Sequence, residues 1–312
     1  MIVSLGEVLI DMIALDDKPL AMVERFERHP GGAPANVAVG LSRLNVESAL
    51  VSKVGRDPFG DFLIDALERE GVKPLVARDE EKHTGVVFVQ LVGAKPEFIL
   101  YDGVAYFNLR EEDVPIDVLK EAEAVHFGTV TFAREPSREA VFKTLRKLRG
   151  KTVLSYDVNI RLDLWREREE EMLDDIREAL KLADIVKLGW EEYRYLAENG
   201  IAVESFRPKI LAITLGSKGS LLISGRAKAE VPAIKVKAVD TTGAGDAFMA
   251  GLLAGIHYAK AFGAKEYEPE LLERLGRFAN LVAGLSVTRR GAWSVPRFEE
   301  IKESPEFPLL RR

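Results

Sequence analysis

The 312-residue sequence predicts an α/β fold: a mostly parallel central sheet with helices on both faces and a small β-lid. Three observations carry this. From Ala124 to Leu215, short apolar runs alternate with helix-length amphipathic runs, the order that builds parallel strands joined by crossing helices. Asp240-Thr241-Thr242-Gly243-Ala244-Gly245-Asp246 leads into small and apolar residues on a helical repeat, with Gly251 and Gly255 on one face, which reads as a turn feeding a buried helix. Between Thr84 and Phe107, hairpin-like runs interrupt the alternation.

Taken in order, residues 2–12 read as one buried strand ending in Asp11. Leu15 to Arg28 is irregular and broken by Pro19, so it leaves the core. The chain returns through His29-Pro30-Gly31-Gly32-Ala33-Pro34-Ala35-Asn36, after which Val37 to Leu44 predict a packed helix. Ala49 to Val54 predict a strand, residues 55–60 a loop, and Asp61 to Glu70 a helix ended by Gly71. Gly85 to Val92 and Phe98 to Tyr101 predict a hairpin around Gly93-Ala94-Lys95-Pro96. Isolated hairpins are marginal in water, so with the first excursion it forms a small sheet over a site, or a dimer surface. Ala124 to Phe127, Thr152 to Asp157, Asp184 to Leu188 and Ile210 to Leu215 predict strands, with helices at Ser137 to Leu148 and Glu169 to Ala183. Ligands of such sheets bind at the carboxyl ends of strands, where this reading puts Asp11, Asp157, Asn159 and Gly216.

Composition narrows the function. A charged fraction of 30% with a net charge of −6 offers no general attraction to nucleic acid or acidic lipid. Without cysteine there are no disulfides, thiolate nucleophiles or Cys-based zinc sites, and the four scattered histidines form no ligand-like cluster. The chain enters directly as a strand and no apolar run reaches membrane-spanning length, so the expectation is a cytoplasmic protein. Gly150-Lys151-Thr152 imitates the end of a P-loop, but Leu145 stands where that loop needs Gly. His126-Phe127-Gly128 lacks the rest of the protein-kinase signature set.

The glycine turn suggests chemistry. Main-chain N–H groups of residues 243–246 converge there, the helix dipole adds positive charge, and a phosphate fits. Asp246 lies in the first helical turn, where that field is expected to keep it ionised and able to accept a proton. The alternative is a helix-capping Asp. Gly31 and Gly32 let a ligand approach the backbone, and Asn36 offers donor and acceptor to a polyol, or else solvates a tight turn.

These stretches resemble a known family. Pro30-Gly31-Gly32-Ala33-Pro34-Ala35-Asn36-Val37-Ala38 and Asp240-Thr241-Thr242-Gly243-Ala244-Gly245-Asp246-Ala247-Phe248 resemble the N- and C-terminal signatures of ribokinase-like (PfkB) carbohydrate kinases. The resemblance spans essentially the whole chain and implies one ribokinase-like domain over residues 1–312, with lid segments 12–28 and 84–107 and a homodimer built through the lid. It implies Asp246 as catalytic base and Gly243, Ala244 and Gly245 as the anion hole. Asp11, Gly31, Gly32 and Asn36 become acceptor contacts, with Tyr101 and Asp157 beside them. Thr214, Gly216, Ser217, Gly219, Lys187 and Asn280 become ATP contacts. Asp240, Thr242, Ser286, Arg289, Gly291 and Ser294 resemble a monovalent-cation site, with potassium the expected ion. Many members carry Asn-x-x-Glu near the Mg²⁺ waters; here Gly189 replaces the Asn and Glu192 is retained.

For the acceptor, Asp157-Val158-Asn159-Ile160-Arg161-Leu162-Asp163-Leu164-Trp165 resembles the segment of fructokinases and 2-keto-3-deoxygluconate kinases. Arg161 suits a sugar or carboxylate, or makes a surface ion pair with Asp157 or Asp163. Deoxygluconate kinases place an Arg after the lid tyrosine; here Asp102 follows Tyr101, and an acid repels a sugar acid. The expectation is therefore an ATP-dependent fructokinase. Rivals are a ketodeoxygluconate kinase, a ribokinase or nucleoside kinase using Tyr101, Tyr106 or Phe107 to stack, and a sugar-binding regulator without chemistry.

Overall fold

The computed structural model describes residues 1–92 and 95–304. In chain order the elements are β1 (Ile2–Leu5), β2 (Leu9–Ala14), β3 (Phe26–Gly31), α1 (Ala33–Arg43), β4 (Ser48–Gly55), α2 (Pro58–Arg69) and β5 (Lys73–Asp79). There follow β6 (Val86–Val92), β7 (Lys95–Leu100), α3 (Ile116–Lys120), β8 (Ala124–Gly128), α4 (Ser137–Leu148), β9 (Val153–Asp157), α5 (Leu162–Trp165) and α6 (Glu169–Leu182). The rest are β10 (Ile185–Gly189), α7 (Trp190–Glu198), β11 (Ile210–Thr214), β12 (Ser220–Ser224), β13 (Ala227–Val231), α8 (Ala244–Tyr258), α9 (Pro269–Ser286) and α10 (Phe298–Ile301).

The main sheet has nine strands in the order β13-β12-β11-β10-β9-β8-β1-β4-β5, parallel from β11 to β5 and antiparallel at both β12 contacts. From β1 the chain runs outward through β4 and β5, then returns to lay β8 on the other side of β1. That reversal opens a crevice at the carboxyl ends of β1 and β8. Both faces are covered: Phe248, Leu252, Phe278 and Val282 of α8 and α9 belong to one apolar cluster, while Phe142, Leu145, Met172 and Ile176 of α4 and α6 belong to a second. Helix α8 packs tightly because its small residues let neighbours close in. A Cβ on Gly251 would lie 2.9 Å from the Cα of Ala279 in α9.

A second sheet has four strands in the order β3-β2-β6-β7. This corrects the reading of residues 2–12 as one strand. Gly6 N–H still donates to Val51 O of β4 at 3.0 Å, but Ile10 N–H donates to Gly85 O at 2.8 Å, so the backbone changes partners in between. Asp11 therefore sits in the lid sheet, not at the end of a main-sheet strand. Strand β3 extends the expected lid segment 12–28, read as irregular, through His29-Pro30-Gly31, read as the chain's return to the core. Tyr106 and Phe107, expected in the lid, are buried in the core in a short 3₁₀ turn. The tip of the expected hairpin, Gly93 and Ala94, lies outside the described residues. Strand β5 was not expected: Pro74 and Arg78 blur its alternation, yet it pairs along its length with β4.

Helices begin earlier than the periodicity suggests. Helix α1 starts at Ala33, which puts Asn36 in its first turn. Helix α2 starts at Pro58 because Asp57 accepts the N–H groups of Phe59 and Gly60 at 3.1 and 2.9 Å, satisfying donors that no preceding turn can serve.

Candidate active site

The carboxyl edge of the main sheet brings its side chains into register: Gly128 opposite Asp157, Asp157 opposite Lys187, and Gly189 opposite Thr214. Lys187 Nζ donates to the two Asp157 oxygens at 2.9 and 3.2 Å, and both residues are buried. Burial opposes the lysine charge, but Asp157, Glu192 and Asp246 outweigh it and hold its pKa above the usual range. Burial also pushes Asp157 up to about 7 against the pull of Lys187. Each partner's charge favours the other's against the burial that opposes both.

Helix α8 meets that edge end-on. Gly243 caps it at φ 73°, a left-handed conformation. The Ala244 N–H, expected in the anion hole, closes the turn instead by donating to Thr241 O at 3.2 Å. The N–H groups of Gly243, Gly245 and Asp246 find no backbone acceptor among the described residues. A Cβ on Gly245 would lie 2.6 Å from Lys187 Nζ, so the ammonium stands over the start of the helix. Free amides, dipole and ammonium together form an anion cradle.

Asp246 is only 8% exposed, and its Oδ2 accepts from Asn36 Nδ2 at 2.7 Å. The helix start is not the only influence on its ionisation. Burial raises the carboxyl above its usual range, while Asn36, Lys187 and Arg161 pull it back. The helix field is local; removal from water is the larger effect. Asn36 Oδ1 in turn accepts from Trp293 Nε1 at 2.9 Å.

Two more acids face the same space. Burial pushes Asp11 up to about 7, opposed by His29 and Arg161 and reinforced by Asp246. Gly31 lies opposite Asp11's neighbourhood on β3, and a Cβ there would overlap the Asp11 carboxylate. Glu7, absent from the sequence reading, is buried: its Oε1 accepts Ala33 N–H at 3.1 Å at the start of α1, beside Gly32, and its Oε2 has no partner. Burial pushes it up to about 7, with Asp246 adding and the Ala33 N–H opposing. Its signal was an acid directly after Gly6 at a strand end. Trp293 was also missed, because nothing local marks an indole N–H as a partner of Asn36.

Arg161 is exposed and makes neither of the expected ion pairs, since Asp157 is held by Lys187. Its charge acts instead on Glu7, Asp11 and Asp246. Glu192 accepts Ile160 N–H and Gly189 N–H, both at 2.7 Å, one through each oxygen, so it caps α7 and pins the turn after β9. Tyr101 lies apart, 52% exposed and edge-on to Phe88, while Tyr106 is buried where the charges of Glu7 and Asp11 reach it. Asp102 is paired with Arg134 at 2.9 Å, so the repulsion expected from it is cancelled.

The remaining expected residues lie in the turn after β11, in α9 and in the loops before α8 and after α9. Thr214, Gly216, Ser217 and Gly219 form the turn between β11 and β12, closed by Leu215 N–H to Gly219 O at 2.7 Å. Asn280 Nδ2 donates to Val231 O and Pro232 O at 3.0 and 3.2 Å, bracing the chain after β13. Asp240 accepts Thr242 N–H and Gly291 N–H, each at 2.9 Å, which clamps the loop before α8 to the loop after α9. Ser286 O accepts Arg289 N–H at 3.2 Å, the Arg289 guanidinium pairs with Glu300, and Ser294 is buried nearby in sequence. No group of three His, Cys, Asp or Glu side chains able to hold a metal occurs among the described residues, and none of their helices is long and apolar enough to cross a membrane.

Residues 1–297 match the pfkB family carbohydrate kinase model. An uncharacterized sugar kinase of Pyrococcus horikoshii is 52% identical over 307 residues, covering 98% of this chain and 96% of that protein. Its crystal structure in complex with ATP superposes with a TM-score of 0.93 at 51% identity, covering 99% and 100% of the two chains. Fructokinase-1 of Zea mays is 35% identical, covering 94% of this chain and 93% of that protein. A Vibrio cholerae fructokinase solved with fructose, ADP and calcium ion gives a TM-score of 0.84 at 29% identity, covering 99% and 98%. The chain belongs to the pfkB family of carbohydrate kinases and has the ribokinase-like α/β fold.

Proposed function

We propose that this kinase transfers the γ-phosphoryl group of ATP to a hydroxyl of fructose. The observation that carries the reading is Asp246: a buried carboxylate held by Asn36, in the same helical turn as the unoccupied Gly243 and Gly245 amides and within the field of Lys187. A regulator that only bound sugar would need no base beside an anion cradle. In the reaction the acceptor hydroxyl gives its proton to Asp246, its oxygen bonds to the γ-phosphorus, and the bridging bond to the β-phosphate breaks to release ADP. Because charge in the transition state is spread over the phosphoryl oxygens, the amides and Lys187 act by stabilising it in place.

The ATP complex of the Pyrococcus relative supports ATP as donor, with Thr214, Gly216, Ser217, Gly219 and Asn280 on the nucleotide side. Glu192 fits a magnesium ion only through its water shell, since both oxygens already accept main-chain N–H groups. When bound with ATP, Mg²⁺ would neutralise charge on the β- and γ-phosphates. The Asp240 clamp between the two loops fits the potassium site. Leu15, Met22, Ile99 and Tyr101, all exposed on or beside the lid sheet, favour a homodimer through that surface.

For the acceptor, the charges that matter are those of Glu7, Asp11 and Asp246, since Asp102 is paired with Arg134. The cluster of Glu7, Asp11 and Asp246, opposed by Arg161, Lys187 and His29, disfavours a carboxylate substrate and suits a neutral polyol. Asp11 and Asn36 then hold sugar hydroxyls. The fructose-bound Vibrio structure supports a ketohexose. The test is ADP release with fructose, ribose, ketodeoxygluconate and nucleosides, with Mg²⁺ present and potassium or sodium as counter-ion. Fructose should turn over fastest, and faster in potassium. Turnover of ketodeoxygluconate with none of fructose refutes the assignment.

A further inference from the structure

We propose that Trp293 is a positioning residue for phosphoryl transfer: acting through Asn36, it fixes the side-chain orientation that aims a hydrogen bond at Asp246 and links that setting to the loop after α9. The proposal rests on the reading of Asp246 as the base.

Two hydrogen bonds make the link. The indole Nε1–H donates to Asn36 Oδ1 at 2.9 Å, and Asn36 Nδ2 donates to Asp246 Oδ2 at 2.7 Å. An indole N–H only donates and an ionised carboxylate only accepts, so one amide orientation satisfies both. The flipped amide would set N–H against N–H and oxygen against carboxylate. Remove the indole N–H, and half of that constraint is gone. With Oδ2 committed to Asn36, the other oxygen of Asp246 is left for the acceptor hydroxyl.

The indole is itself held in place. Arg43 Nη1 donates to Trp293 O at 2.5 Å and to Val295 O at 3.2 Å. Arg43 ends the helix whose first turn carries Asn36, so α1 is fastened at both ends to residues 293–295. Gly291 is bound to Asp240 at 2.9 Å, and a Cβ on Gly243 would lie 3.0 Å from the Ala292 Cα. Residues 291–293 therefore touch the cradle and the partner of the base together. The ring packs on the cluster containing Val8, Ile10 and Ala35, which a Phe ring would do nearly as well.

The charges facing Asp246 come from several elements: Lys187 on β10, Asp157 on β9, Arg161 after β9, Asp11 on β2 and Glu7 between β1 and β2. None of them changes in Trp293→Phe. What changes is the Asn36 donor, one of the influences that lower the Asp246 pKa. Weakening it moves the acidic limb of activity to higher pH.

Trp293→Phe should melt close to the parent, lose roughly fivefold in kcat with little change in the KM for ATP, and shift the acidic limb of kcat/KM upward by on the order of half a pH unit. A second measurement needs no folded variant at that position. In protein with isotopically labelled tryptophan, of which there are three, the Trp293 indole resonance should shift on adding fructose and in Asp246→Asn. A folded Trp293→Phe with unchanged kcat and pH profile overturns the positioning role, as does an indole resonance indifferent to Asp246→Asn. An Asp246→Asn protein that turns over normally overturns the base assignment instead, so the two failures are told apart.

Discussion

Glu7 offers a sharp test of the buried acid cluster, because its cost to the fold should depend on pH in a known direction. Its carboxyl has an ordinary value near 4.5 in the unfolded chain and is pushed to about 7 in the fold, chiefly by burial. A raised acid means that the native state holds its proton more tightly than the unfolded one. Charging it therefore costs nothing below about pH 4.5, costs progressively more as pH rises toward 7, and costs the full amount above that. A shift of this size is worth on the order of 3 kcal/mol at about 1.4 kcal/mol per pH unit. Asp11 and Asp246 share the same field and the three release protons as a set, so roughly half, about 1–2 kcal/mol, should be recoverable at Glu7 alone. Glu7→Gln is the neutral isostere, and its remaining carbonyl can still accept the Ala33 N–H. Thermal melts followed by circular dichroism should find the variant level with the parent near pH 4 and more stable at pH 8, by a few degrees in Tm. A variant destabilised equally at both ends of the range would show that the cap on α1 is the whole of its role and that its charge carries no penalty.

Two further substitutions probe the cradle and its surroundings. In Gly245→Ala the new methyl would lie 2.6 Å from Lys187 Nζ, so the ammonium must leave Asp157 or the helix start. The fold should survive, since the obstacle is the end of a flexible side chain, while kcat/KM falls roughly 10- to 100-fold; near-parental kinetics would remove Lys187 from the cradle. Glu192→Gln turns one of two accepting oxygens into a donor facing a main-chain N–H. Denaturant titration should show a loss of about 1–3 kcal/mol, and ADP release should need more Mg²⁺; an unchanged Mg²⁺ requirement would leave only the capping role.

What the sequence made legible was local. The glycine turn before α8, the helix it opens and the second glycine pair before α1 are set by residues within a few positions of one another, and their positions were read correctly. The alternation of strands and helices after Ala124 was equally plain, because each parallel strand is buried on both faces and reads as an apolar run. Residues 2–12 defeated the same logic. They are apolar throughout, and the jump between sheets is decided by Val51 and Gly85, partners far along the chain. The edge strands β13 and β5 carry charged residues that blur their pattern, and the apolar run of β12 is only three residues long.

The site shows why recognising residue types is not the same as knowing their electrostatics. The sequence assigned Asp246 an ionised state from the helix it begins, but burial raises its pKa. It assigned Asp102 a repulsive role, and Arg134 neutralises it. Both readings depend on groups that the fold brings near the acid, which its local sequence does not name. The same holds for the residues that were missed. Glu7 reaches Ala33 and Trp293 reaches Asn36 across long stretches of chain, and neither carries a local pattern. A family signature names groups that lie on short turns. The residues that set the protonation of those groups and hold them at the right angle come from elsewhere in the chain, and they are where two kinases with the same signature can differ in pH range and acceptor. Exchanging signature residues should therefore change whether the reaction runs, whereas exchanging Glu7 or Trp293 should change the pH at which it runs.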